Sequence, residues 1–104
     1  MYPALATATR DGTVLQTAPI SGTLTGHGVW KRVGPRNFAL NTIYFRVNAA
    51  TGAFEGTSET TIAVTVDRGG RTAAGTFTAV ILGPEGQYIR DYAGAVTAQR
   101  MEID

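Results

Sequence analysis

Turn residues recur too closely along this chain for anything but hairpins. Asp11-Gly12, Gly34-Pro35-Arg36-Asn37, Asn48-Ala49-Ala50-Thr51-Gly52, Asp67-Arg68-Gly69-Gly70 and Gly83-Pro84-Glu85-Gly86 each interrupt a segment rich in Thr, Val, Ala and aromatics. Gly and Asp-Gly supply the positive φ angles that tight hairpin turns require. A parallel crossover takes about a dozen residues or more. No connection after Gly26 has that room. Consecutive strands must therefore run antiparallel.

The segments between the turns read as strands. Residues 54–66 alternate with a period of two. Phe54, Gly56, Ser58, Thr60, Ile62, Val64 and Val66 fall on one face, and Glu55, Thr57, Glu59, Thr61, Ala63 and Thr65 on the other. Such alternation turns the first set inward and the acidic set to water. Strands are also expected over 4–10, 13–17, 27–33, 38–47, 71–82 and 87–103, the last bending near Ala93-Gly94. Residues 18–25, broken by Pro19 and Gly22, read as a loop or edge segment and a mobile rim. With 104 residues, a single domain over 1–104 is expected. The fold class is all-β: an antiparallel up-and-down meander of roughly seven to eight strands. Closure into a small barrel is the simplest way for it to remove exposed edges.

Composition excludes several classes of function. The net charge of +1 is too small to argue for a nucleic acid or a membrane surface as partner. There is no Cys, so disulfides and thiolate chemistry are out. His27 is the only His, and no metal-ligand spacing surrounds it; neither a metal nor a cofactor is expected. No nucleophile elbow or phosphate loop appears. Residues 1–8 lack the basic start and long apolar core of an intact targeting peptide, and the compartment stays open.

Two strands leave their faces open. In 38–47, Ala39, Asn41, Ile43, Phe45 and Val47 oppose Phe38, Leu40, Thr42, Tyr44 and Arg46, and both sets are partly apolar. Either a bulge swaps the faces, or a second chain covers the outer one. The second option is favoured and predicts a homodimer with Phe38, Leu40 or Tyr44 at its interface. In the last strand, Tyr88, Arg90, Tyr92, Gly94 and Val96 oppose Ile89, Asp91, Ala93, Ala95 and Thr97. If the Tyr face turns inward, Arg90 enters a pocket and needs an anionic partner, such as a carboxylate. If the other face does, Asp91 is buried. His27 reads as a strand-end residue, and Glu55 and Glu59 as solvated.

Gly28-Val29-Trp30, the hairpin meander and the late Arg100 resemble the calycin group of lipocalins and related small barrels. The wider pattern covers most of the chain: Thr9-Arg10-Asp11-Gly12-Thr13-Val14, residues 26–34, Phe54 and Gly56-Thr57 after Gly52, then Gly75-Thr76-Phe77 and Gly86. It is similar to small, mostly uncharacterised bacterial lipocalin-like proteins. The resemblance implies Trp30 at one barrel end with Arg100 over its ring. Such proteins usually begin with one further strand before the position of Ala4; the resemblance then implies an eight-stranded closure with a strand from a neighbour, a smaller barrel, or a shortened relative. Allene-oxide-cyclase and dirigent-like barrels have a similar strand count.

The leading expectation is a barrel that binds a hydrophobic or carboxylate-bearing small molecule. Trp30, Ile43, Phe45 and Phe54 are expected to line its interior, together with Ile62 and Phe77. Arg90 and Tyr92 are expected as its polar contacts. The alternatives are an isomerase or cyclase using Tyr92, Arg90 or His27, and a non-catalytic dimeric interaction module.

Overall fold

The computed structural model describes residues 4–18 and 22–101. Pro19 and Ile103, which figure in the expected rim loop and the expected end of the last strand, lie outside the described residues. Seven strands follow in order: β1 (Leu5–Ala8), β2 (Thr13–Thr17), β3 (Gly26–Arg32), β4 (Asn37–Val47), β5 (Phe54–Val66), β6 (Thr72–Leu82) and β7 (Tyr88–Gln99). Each pairs antiparallel with the next, in one sheet ordered β1 to β7. The all-β up-and-down meander is therefore as the turn spacing requires. The sheet curls into a half-barrel, and β1 and β7 form its two edges, with no pairing between them among the described residues.

The curl gives the sheet a concave and a convex face. Cross-strand rows identify which residues share each face, because directly paired residues point the same way. One concave row is Trp30, Leu40, Ile62, Phe77 and Gly94. The next is Gly28, Thr42, Thr60, Ala79 and Tyr92. Beyond it lie Tyr44, Ser58, Ile81 and Arg90. The buried residues Val14, Thr42, Tyr44, Ser58, Ile62, Ala79 and Ile81 all belong to this side. This settles the register of β4. Phe38, Leu40 and Tyr44 face the concave side, Tyr44 buried and the other two half-buried, whereas Ile43 and Phe45 stand exposed on the convex side.

Two bulges redirect side chains at one end of the trough. Along β4 and β5 the register steps from Arg46 opposite Gly56 to Val47 opposite Phe54, which leaves Glu55 as an extra residue. An extra residue shifts everything beyond it to the other face. Phe54 therefore leaves the inward set predicted by plain alternation. It meets Phe45 on the convex side, ring centroids 5.9 Å apart and edge to face. Gly56 takes φ 120°, a conformation that disfavours any side chain, and a Cβ there would overlap the Leu82 carbonyl oxygen. Along β6 and β7 the register steps from Ile81 opposite Arg90 to Leu82 opposite Tyr88. Ile89 is the extra residue, and Tyr88 moves to the convex side.

Trp30 fastens the first hairpin to the sheet. Its Nε1 donates to the Thr9 carbonyl at 2.8 Å, and its backbone N–H to the Gly12 carbonyl at 2.9 Å. Its ring lies 5.8 Å from that of Phe38. The expected Arg100 partner is not there: Arg100 sits beside β6, its N–H donating to the Arg71 carbonyl.

Candidate ligand-binding cleft

The cleft is at the end of the concave trough where the sequence changes from apolar to polar inward residues. Moving along the trough, the row of Trp30, Leu40, Ile62 and Phe77 gives way to Thr42, Thr60 and Tyr92, then to Tyr44, Ser58 and Arg90. The period of two places these side chains together from three strands that are distant in sequence. Tyr44, Ser58, Thr60, Arg90 and Tyr92, with Arg46 and Glu55, line a cleft of about 260 Å³.

The two arginines differ in state. Arg46 is half-buried and pinned: its Nη1 donates to the carbonyls of Glu55 at 3.2 Å and Leu82 at 3.4 Å, bridging the two bulged regions. Arg90 is exposed at the cleft wall, and its guanidinium has no hydrogen bond or ion pair among the described residues. Its planar guanidinium keeps its full set of donors for an anion. Tyr92, two residues on and on the same face, is set edge-on against Phe77, centroids 5.9 Å apart. That contact links the polar cleft to the apolar trough.

Thr42 is the unusual residue of this region. It is 1 % exposed, and its Oγ1 has no hydrogen-bond partner. A buried hydroxyl without a partner carries a desolvation cost of about 1–3 kcal/mol. It sits in the same cross-strand row as Tyr92, directly opposite Gly28 and Thr60.

The residues expected to line a pocket divide between the two faces. Trp30 and Phe77 lie in the trough, and Tyr92 and Arg90 in the cleft. Ile43, Phe45 and Phe54 lie on the convex face, 47 %, 56 % and 51 % exposed, because of the β4 register and the Glu55 bulge. The sequence reading missed Tyr44 and Arg46 as cleft residues. The signal for them was the set that contains Phe38 and Leu40, which alternation alone could not orient. His27 is exposed on the convex face, opposite Ile43, and Ser58 therefore has no imidazole beside it. Among the described residues, no group of His, Asp and Glu is placed to hold a metal ion.

No protein-family model, curated protein or solved structure matches the chain.

A second, larger concavity of about 700 Å³ lies at the opposite end, between the 67–72 turn and the end of β7. It is open and lined mainly by small residues and Thr, with Arg36 and Asp67 at its border. It gathers no cluster of polar groups comparable with that around Arg90.

Proposed function

We propose that this protein binds a small amphipathic molecule with an apolar body and a carboxylate. The body lies along the trough over Leu40, Ile62 and Phe77, and the carboxylate meets Arg90. The observation that carries this reading is Arg90: a guanidinium without a partner among the described residues, on the wall of a cleft that opens from an apolar trough. Tyr92 offers a phenol on the same face. The resemblance to lipocalin-like barrels, drawn from Gly28-Val29-Trp30, agrees with a ligand carried on the inner face.

The reading is tested by calorimetric titration with a medium-chain fatty carboxylate and with the alcohol of equal chain length. The carboxylate is expected to bind more tightly. Arg90→Ala is expected to weaken carboxylate binding about 10- to 100-fold, the range for loss of a charge-assisted hydrogen bond. The alcohol should lose little. Equal affinity for both probes, or indifference of the carboxylate to Arg90→Ala, would count against the proposal. The enzymatic alternative draws on the same Arg90 and Tyr92, and no further group in the cleft favours it.

A further inference from the structure

The two edges of the half-barrel are unlike. β1 is only 4 residues long. β7 is 12 residues long, and its stretch 92–99 contains neither a charge nor a proline. Proteins ordinarily blunt an exposed edge with charge, proline, brevity or cover. β1 has brevity, whereas this stretch of β7 has none of the four among the described residues.

The direction of the free backbone groups can be worked out. Gln99 pairs with Thr72, and the Arg100 N–H donates to the Arg71 carbonyl at 2.8 Å. Hydrogen-bonded pairs alternate along an antiparallel ladder, so those between β6 and β7 fall on the even-numbered residues of β7. Asp91, Ala93, Ala95, Thr97 and Gln99 therefore direct N–H and C=O away from β6, towards open space.

The surface area points the same way. The chain exposes 7459 Å². A compact monomer of 11.0 kDa exposes about 5,600 Å², so the excess is roughly 1,800 Å². A standard interface covers about 800 Å² on each partner. The chain thus has surface to spare for a stable contact with another copy.

We infer that β7 pairs antiparallel with β7 of a second copy of this chain, about a two-fold axis through Gly94. This centre pairs residues 89–99 with the same stretch of the partner. Ala93 then lies opposite the partner's Ala95, Tyr92 opposite the partner's Val96, and Asp91 opposite the partner's Thr97. Moving the axis to Ala95 would set Arg90 against the partner's Arg100, and like charges directly opposite are unfavourable. Moving it to Ala93 pairs residues 88–98 and draws the bulge at Ile89 into the new ladder, with Tyr88 already turned to the other face. Even-numbered residues stay on the concave side in both copies, so the two troughs open on the same side of one continuous sheet. Arg90 and Tyr92 then belong to a strand paired on both sides, which fixes the outer wall of the cleft. The pairing stands on the β7 edge and does not depend on what the cleft binds.

Light scattering of the whole chain at micromolar concentration tests this, together with amide hydrogen exchange. A dimer is expected, with slow exchange at Ala93, Ala95 and Thr97. Ala95→Pro removes an outward N–H that the monomer does not use. The pair Ala93→Lys and Ala95→Lys sets lysines opposite lysines. Each variant is expected to give a monomer that keeps its β-sheet circular dichroism. A monomeric native chain, open-ended oligomers, or a dimer that survives both variants would overturn the inference. If both variants unfold, fast exchange at Ala93, Ala95 and Thr97 in the native chain overturns it by itself.

Discussion

At the scale of single residues, Thr42 separates stability from function. Its buried hydroxyl lacks a partner. Thr42→Val keeps the shape and removes the unsatisfied oxygen, so the variant is expected to be more stable by about 1 kcal/mol. Denaturant unfolding measures that change; a loss of stability would mean that the hydroxyl is satisfied in solution. Gly56 behaves oppositely. Its φ of 120° and the nearby Leu82 carbonyl exclude a side chain. Gly56→Ala is expected to cost about 2 kcal/mol or more, through local strain and a forced shift of the bulge. Unfolding at the wild-type denaturant midpoint would refute this. Trp30→Phe should keep the ring contact with Phe38 but lose the bond to the Thr9 carbonyl. Its expected cost is about 1 kcal/mol, with exchange accelerated in the β1–β2 hairpin first.

At the scale of elements, the hairpin turns carry the acid response. Asp11 is held below the usual carboxylate range, chiefly by the Thr9 hydroxyl and then by Thr13. Asp67 is held low by the N–H groups of Arg71 and Thr72, at 2.9 and 3.3 Å. Both depressions favour the charged form in the folded state. The stability they confer is therefore present above the unfolded value of 3.8 and is lost as pH falls through the lower folded values. The melting temperature is expected to be flat from neutral pH down to about 5, and to fall below about 4. Replacing Asp11 and Asp67 together by Asn keeps the turn acceptors and should flatten that acid limb. Both groups are exposed, so the effect is modest and weakens with salt. Equal acid sensitivity of the double variant would show that other carboxylates set it.

At the scale of the whole molecule, the notable fact is how little of the chain is fully buried. Val14, Tyr44, Ile62, Ala79 and Ile81 are the buried apolar side chains among the described residues. The trough leaves Trp30, Leu40 and Phe77 half-covered. A sheet of this size gains from a ligand that covers its open face and from a second copy that pairs its open edge. By mass action, the thermal midpoint is expected to rise with protein concentration. It should rise again with the fatty carboxylate. The first effect should vanish in the Ala93→Lys, Ala95→Lys variant and the second should persist there. A midpoint independent of concentration would argue against assembly.

Much of this architecture was legible in the residues themselves. Asp-Gly and Gly-Pro turns at hairpin spacing leave no room for crossovers, so the order and direction of the strands follow from local chemistry alone. The alternation in β5 likewise placed Ser58, Thr60 and Ile62 inward. The inner face of β4 was not legible, because Ile43 and Phe45 are as apolar as Leu40 and Tyr44 and period two has no sign of its own. Nor could alternation foresee that Glu55 and Ile89 would be extra residues, since a bulge is a mismatch between two strands and belongs to neither sequence separately. Those pairings moved Phe54 and Tyr88 outward. They left Arg90 and Tyr92 facing Tyr44 and Ser58 across a sheet that curls without closing. The sequence determined a meander of antiparallel hairpins; long-range register decided which side of it is the inside.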